Sequence, residues 1–328
     1  MYTKISVIST IKNEKESLQD FVRSIFEQTR QPDEVIIIDG GSTDGTIGVL
    51  KWLGNLYKEK LVYYIKEGFN ISQGRNRAIK IAKYPIIASV DGGATLQKEW
   101  LKNLTEPLIL DSSVDVVSGF FIPEVHNTFE KYLAAVTIPL KDELQDEKFL
   151  PSSRSIAFRK EAWERVKGYP EWLAICEDLV FDIKLKNNGY NFVLNDKALS
   201  SWRPRESVAK FFKQYFGYAR GDGHAGLFLR RHIIRYTTYF ALILFLITAF
   251  RTSIIWLVPI LIGSVLYLLK FYNRFFRHFP KESFLVNFGA YFFIPFLTLV
   301  GDIAKMLGYP LGLYERYVGK IKYEEYRK

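Results

Sequence analysis

The chain has 328 residues, a formal net charge of +10 and 16% aromatic residues, 26 of them Phe and 20 Tyr. This length holds one domain of ordinary size and an appendage, and the positive balance calls for an anionic partner such as a phosphorylated ligand, anionic lipid or nucleic acid. The single cysteine, Cys176, excludes an intrachain disulfide and a cysteine-held zinc.

Residues 1–110 alternate strand and helix patterns. A strand is expected over residues 5–9. That first apolar run is short and lacks a basic flank, so it does not read as a secretory signal, and a cytoplasmic N-terminal domain is expected. Residues 16–28 have helical spacing, with Leu18, Phe21, Val22 and Ile25 on one face. A strand follows over 34–39, then a capped helix over 43–56, a strand over 62–65, a helix over 72–82 and a strand over 86–91. Repeated strand–helix–strand units predict a mainly parallel sheet with right-handed crossovers. Residues 111–205 are more mixed, with short strands over 114–117 and 155–158 and helices over 160–166 and 178–187.

The pattern changes after Arg235. Residues 236–250 and 254–269 are apolar runs separated by Arg251-Thr252-Ser253, and residues 284–303 form a third run. Each of the first two falls short of the roughly 20 residues of a full span, but snorkelling basic flanks extend them. They predict a helical hairpin over about 236–269. Arg230, Arg231 and Arg235 precede it, Lys270, Arg274, Arg277 and Lys281 follow it, and Arg251 sits at its tip. The excess of positive charge at both ends places them in the cytoplasm. A full crossing by the third run would export Arg316, Lys320, Lys322 and Arg327, so two and three spans both stay open, with three preferred for the length of the run.

Two strands end abruptly in an acid followed by glycines: Ile36-Ile37-Ile38-Asp39-Gly40-Gly41 and Val90-Asp91-Gly92-Gly93. A buried parallel strand reads as a continuous apolar run, and its carboxyl end opens where α/β proteins bind ligands. Asp39 and Asp91 are therefore expected at one edge of one sheet. With the later pair Glu177-Asp178 they suit a metal-bound, phosphate-rich ligand.

These residues resemble the inverting family 2 glycosyltransferases of the GT-A fold, over roughly residues 3–225. The first strand with Lys12-Asn13-Glu14 is similar to that family's opening strand and loop. Asp39 through Thr46 is similar to its nucleotide-binding turn, and Gly68 through Ser72-Gln73-Gly74-Arg75-Asn76-Arg77-Ala78 to its nucleotide-contacting helix. Asp91-Gly92-Gly93 takes the place of its metal-binding Asp-x-Asp, with Gly93 where a second Asp often stands. Glu177-Asp178 takes the place of its catalytic acid pair.

The resemblance implies a Rossmann-like GT-A domain over residues 1–228 and a membrane region over 229–328, made of the hairpin, the third apolar helix and a basic tail. It implies a nucleotide-diphospho-sugar donor, UDP rather than GDP, held by Thr10, Asn13, Glu14, Asp39, Arg75 and Asp91. Asp39 can accept a base imide N–H or serve as a turn carboxylate; Arg75 can pair with phosphate, stack on a base or lie solvated. Asp91 would bind Mg²⁺ or Mn²⁺, with His224 as a second candidate ligand or a structural histidine. Asp178 would be the base and Glu177 an orienting acid, or the pair would cap the helix that they open.

Ser155, Trp202, Arg205 and Arg220 are the candidate phosphate or acceptor contacts, and the two arginines can equally form a basic belt at a membrane surface. The expected acceptor is a polyprenyl phosphate or a lipid-linked saccharide. Processive synthases carry Gln-x-x-Arg-Trp in this region; here Gln214 is followed by Gly217-Tyr218, which argues against that variant. A catalytically inactive, nucleotide-sugar-binding membrane scaffold is the reading from another class. Nucleic acid explains the charge but not the acids at strand ends, and is not an expected partner.

Overall fold

The computed structural model describes residues 3–144 and 149–319. The strands are β1 (Ile5–Ile11), β2 (Glu34–Asp39), β3 (Leu61–Ile65), β4 (Ile86–Val90), β5 (Thr95–Leu96), β6 (Val116–Pro123), β7 (Ser155–Arg159) and β8 (Phe192–Trp202). The helices are α1 (Leu18–Phe26), α2 (Thr46–Leu56), α3 (Ile71–Ile81), α4 (Trp100–Leu110), α5 (Thr128–Thr137), α6 (Lys160–Arg165), α7 (Glu177–Asn187), α8 (Val208–Ala225), α9 (Leu229–Arg251), α10 (Leu257–His278) and α11 (Phe284–Tyr317). Two units result. Within the described residues, one comprises 3–122 and 141–202, and the other 123–140 and 203–319.

The first unit is an eight-stranded sheet in the order β3-β2-β1-β4-β7-β6-β8-β5. β3, β2, β1 and β4 run parallel, and β7 returns antiparallel to β4 with Ser155 opposite Val90. Every residue of β2 and β4 is buried, as the continuous apolar runs predict. Alternation along β1 supplies both faces. Val7 and Ile11 pack with Leu18, Phe21 and Ile25 of α1, Leu50 of α2 and Trp100 of α4. Ile8 faces the opposite way, with Ala78 and Ile79 of α3 and Phe181 and Leu185 of α7. Glu34 is buried at the start of β2, where its Oε1 accepts hydrogen bonds from the Ser6 hydroxyl and the Lys83 amide, both at 2.6 Å. The expected α/β architecture is therefore the one observed. α4, α5, β8 and α8 are additions to the sequence pattern. α4 continues through Pro107, and β8 is a mixed run with Asn195-Asp196-Lys197 at its centre, held by pairing in the sheet.

In the second unit three helices are long and apolar enough to cross a membrane: Leu229–Arg251, Ile254–His278 and Phe284–Tyr317. They cover the expected hairpin and third run and extend them through the basic flanks. The third, at 34 residues, passes well beyond residue 303; at 1.5 Å per residue it is about 51 Å long, against roughly 30 Å of hydrocarbon. Its last turns lie against α8 through glycines. A Cβ on Gly223 would come within 2.6 Å of the Tyr309 carbonyl oxygen, and one on Gly312 would meet the Arg220 carbonyl closer still. Asp302 of α11 is 1% exposed. It accepts hydrogen bonds from Arg235 Nε (2.9 Å) and Tyr239 (3.2 Å) of α9 and from Tyr267 (2.7 Å) of α10. A carboxylate in an apolar bundle persists when it is paired in this way, and here it joins three helices. Lys320, Lys322 and Arg327 of the expected basic tail lie outside the described residues.

The close approach of α8 and α11 predicts that Gly312→Val destabilises the second unit by about 1–3 kcal/mol, the usual cost of overpacking. Gly263→Val, which adds a side chain where nothing lies within 4 Å, leaves stability unchanged. Thermal unfolding of the two variants in detergent checks the pair.

Candidate functional site

The carboxyl ends of β2, β1 and β4 and the amino end of β7 meet at one edge of the sheet. Asp39 ends β2 and Asp91 follows β4. Asp39 is completely buried. Its Oδ1 accepts hydrogen bonds from the Gly41 and Ser42 amides, both at 2.8 Å, and its Oδ2 one from the Ser42 hydroxyl at 2.7 Å. Gly41 takes φ +90°, a conformation open to glycine at no steric cost. Asp39 is thus the residue that folds the turn.

The loop after β1 is tied to this turn. The Asn13 amide donates to the Ser42 hydroxyl (2.8 Å), the Thr43 amide donates to Asn13 Oδ1 (2.9 Å), and the Glu14 amide donates to the Thr46 hydroxyl (2.8 Å). The Glu14 carboxylate accepts from the Ser17 hydroxyl at 2.6 Å. Asp44 accepts from the Thr46 amide at 3.0 Å, as a capping acid at the start of α2. Thr10 is half-buried and its Oγ1 has no hydrogen-bond partner.

α3 opens with a reciprocal cap between Asn70 and Gln73 and lies close on β1, where a Cβ on Gly74 would come within 2.6 Å of Thr10 Cγ2. That approach buries Arg75, which is 2% exposed. Its Nη2 contacts Asp91 Oδ1 and its Nη1 contacts Glu177 Oε1, each at 2.5 Å. Arg75, expected to meet phosphate or a base, has both terminal nitrogens on carboxylates. Asn76, beside it, ties α3 to residues 163–169. Its Oδ1 accepts from Trp163 Nε1 (3.0 Å) and the Tyr169 amide (2.9 Å), and its Nδ2 donates to the Tyr169 carbonyl (2.9 Å).

Cys176, in a left-handed conformation with φ +66°, turns the chain into α7. The two acids that open α7 differ in environment. Glu177 is 6% exposed, and burial, followed by repulsion from Asp178, pushes its pKa up to about 7 despite Arg75. Asp178 is half-buried, accepting from its neighbour's Leu179 amide (2.9 Å) and from the Ser152 hydroxyl (3.4 Å). One turn further, Asp182 is completely buried with no hydrogen-bond partner on either oxygen, and burial, then Asp178, pushes its pKa well up. It is held neutral.

Sequence reasoning passed over Arg154. The turn before β7 brings its Nε to 3.5 Å from Asp91 Oδ2 and its guanidinium over the Trp202 ring at 4.6 Å. Its only sequence signal is a basic residue immediately before a strand. The other expected contacts lie elsewhere. Ser155 is completely buried and accepts a hydrogen bond from Trp100 Nε1 at 2.8 Å, so it belongs to the core. In the second unit, Arg220 is bidentate to Glu315 of α11 at 2.6 and 2.7 Å, and His224 Nε2 meets the same carboxylate at 2.7 Å. His224 and Arg220 thus tie α8 to α11. Arg205 is exposed.

The Asp91 oxygen not bonded to Arg75 is Oδ2, on a side chain 27% exposed, and the Glu14 carboxylate lies beside Gly93. Gly93 itself offers no carboxylate, and no group of three or more His, Cys, Asp or Glu is placed to hold an ion among the described residues. This set fits an ion whose remaining positions are filled by phosphate oxygens and water, a common arrangement for Mg²⁺.

The raised pKa of Glu177 sets a direction for stability. Its folded value, about 7, lies above its ordinary value of 4.5. The folded chain then binds more protons than the unfolded chain between those values, so stability falls as pH rises from about 4.5 to 7. Glu177→Gln should flatten that fall, as read by denaturant unfolding at several pH values.

Residues 6–167 match the model of glycosyl transferase family 2. Glycosyltransferase AglE of Haloferax volcanii is 23% identical over 251 residues, covering 75% of this chain and 81% of that protein. Succinoglycan biosynthesis protein ExoA of Rhizobium meliloti is 28% identical over 197 residues, covering 57% of this chain and 59% of that protein. Among solved structures, mannosyltransferase PcManGT of Pyrobaculum calidifontis, determined in complex with GDP-Man and Mn²⁺, superposes with a TM-score of 0.64 at 17% identity, covering 93% of this chain and 88% of that one. That likeness carries the fold. Together with the sheet-edge acids and the three apolar helices, these matches identify a glycosyltransferase whose residues 6–167 match family 2, with a GT-A fold followed by helices long and apolar enough to span a membrane.

Proposed function

We propose that this enzyme transfers a sugar, with inversion, from a nucleotide-diphospho-sugar to a polyprenyl phosphate or a lipid-linked saccharide in glycan biosynthesis. The observation that carries the proposal is the placement of Asp91, Glu177 and Asp178 around one buried arginine. Asp178 is the base. It is the more exposed acid of the pair, while Glu177 is buried against Arg75 and holds the start of α7. A base on the face opposite the leaving group accepts the acceptor hydroxyl's proton as the new bond forms. The Asp39 turn and the loop over Thr10, Asn13 and Glu14 form the nucleotide cradle. The donor base is uracil on the resemblance around Asp39, and UDP should displace a fluorescent nucleotide at lower concentration than GDP.

Asp91 Oδ2 would hold Mg²⁺ or Mn²⁺, and such an ion neutralises the charge that develops on a diphosphate leaving group. Support for a lipid-linked acceptor comes from the three apolar helices, which would place the enzyme in the cell membrane with its catalytic domain in the cytoplasm. Of the basic residues considered for the acceptor phosphate, Arg205 is exposed and stays a candidate; Trp202 lies under Arg154.

Asp178→Asn should keep nucleotide binding while transfer falls by roughly 10²–10⁴-fold, the usual cost of a lost general base, when the acceptor is a sugar hydroxyl. A fall below about tenfold identifies an acceptor that is already anionic, a polyprenyl phosphate. Unchanged transfer to a defined hydroxyl acceptor would remove the role. Orientation is read separately: single cysteines at Thr252 and Asn273, introduced with Cys176→Ser, should be labelled by an impermeant reagent in intact cells at position 252 alone. Labelling at 273 would reverse the topology.

A further inference from the structure

The Asp91 carboxylate is compensated from both sides. Arg75 takes Oδ1 at 2.5 Å and is itself 3% exposed at the side chain, so it is fixed by burial and by its second bond to Glu177. Arg154 is held differently. It stands 3.5 Å from Oδ2, its side chain is 26% exposed, and its guanidinium rests over the Trp202 ring at 4.6 Å. A planar, weakly hydrated guanidinium keeps favourable contact with an indole face while its edge changes partner. The oxygen that a divalent ion would use is thus the one facing the more accessible arginine.

We infer that Arg154 is the counter-ion of Asp91 when no donor is bound, and that it transfers to the donor's diphosphate, so that nucleotide and divalent ion bind as a coupled pair. The inference rests on the assignment of metal binding to Asp91. An ion arriving alone meets one carboxylate already shared by two arginines, and position 93 is glycine rather than a second Asp. A diphosphate changes that balance. Its oxygens offer Arg154 a bidentate anionic partner and offer the ion the ligands that the protein lacks. Arg154 in this role is a positioning residue of the donor site, with Trp202 as its pivot. Coupling of this kind is reciprocal: the factor by which nucleotide tightens the ion equals the factor by which the ion tightens nucleotide.

The test uses the full chain in detergent. Mn²⁺ binding without nucleotide is followed by electron paramagnetic resonance, and UDP and GDP binding by calorimetry with and without Mn²⁺. Arg154→Gln should bind Mn²⁺ alone roughly fivefold more tightly than the wild type, the upper range for a partly exposed ion pair, and the enhancement of nucleotide affinity by Mn²⁺ should shrink by a similar factor. Arg154→Lys, which keeps the charge, should stay close to wild type on the first measurement, and it provides a folded comparison if the glutamine variant is unstable. An Arg154→Gln chain with wild-type Mn²⁺ affinity and undiminished enhancement would overturn the inference, as would an Arg154→Lys chain whose nucleotide-free Mn²⁺ affinity rises as far as expected for glutamine. Asp91→Asn separates the two levels. If it abolishes Mn²⁺ binding while Arg154→Gln changes nothing, the metal assignment stands and the role of Arg154 falls. If it binds Mn²⁺ as the wild type does, the metal assignment falls and the inference with it.

Discussion

A guanidinium buried to 2% exposure keeps its charge only where carboxylates replace the water that it has lost. Arg75 meets that condition with one acid from the end of β4 and one from the start of α7, elements more than eighty residues apart in the chain. The constraint works in both directions. Asp91 and Glu177 can be carried into a partly desolvated sheet edge because Arg75 is there, and removal of the arginine would leave two acids facing each other. Breaking such a buried pair typically costs about 3–5 kcal/mol. The active edge is therefore assembled around a structural cation, and the positions of the acids follow from it.

This arrangement divides the acidic residues by environment. Glu177 is compensated and buried, Asp182 one turn on is buried with its pKa pushed well up, and Asp178 alone of the three retains partial exposure on α7. Environment separates adjacent acids of the same chemical type into a buried tie and an accessible group, the latter the base proposed above, a pattern common to sites that use paired carboxylates. Asp91 shows the same division: its two oxygens meet arginines of different accessibility, Arg75 at 3% and Arg154 at 26% side-chain exposure.

The second unit solves a different problem. Apolar helices in lipid gain little from burying more apolar surface, so close backbone packing and polar pairs decide how they associate. Gly223, Gly308 and Gly312 let α8 and α11 approach at backbone distance, and the Arg220–Glu315–His224 cluster fastens the same pair of helices. Asp302 performs the corresponding task for α9, α10 and α11. Residues that look like ligands from their chemistry, His224 and Arg220, are here spent on assembly.

Much of the first unit was legible in the chain. The buried runs of β1, β2 and β4 and the single-faced pattern of α1 give strand and helix by period alone, and strands that end in Asp39 and Asp91 necessarily reach one edge of a parallel sheet. The apolar runs after Arg235 were equally plain, since composition decides whether a helix can lie in lipid. Partners were not legible. Whether Arg75 faces phosphate or carboxylate, whether Ser155 lies at the surface or under Trp100, and whether His224 meets an ion or Glu315 depend on contacts across 55 to 102 residues of sequence. Local pattern determines which way a backbone runs, because period and capping act within a few residues. Charge pairing is a property of three-dimensional neighbours, and only the tertiary structure brings Arg154, Asp91 and Arg75 together to decide which oxygen is left for chemistry.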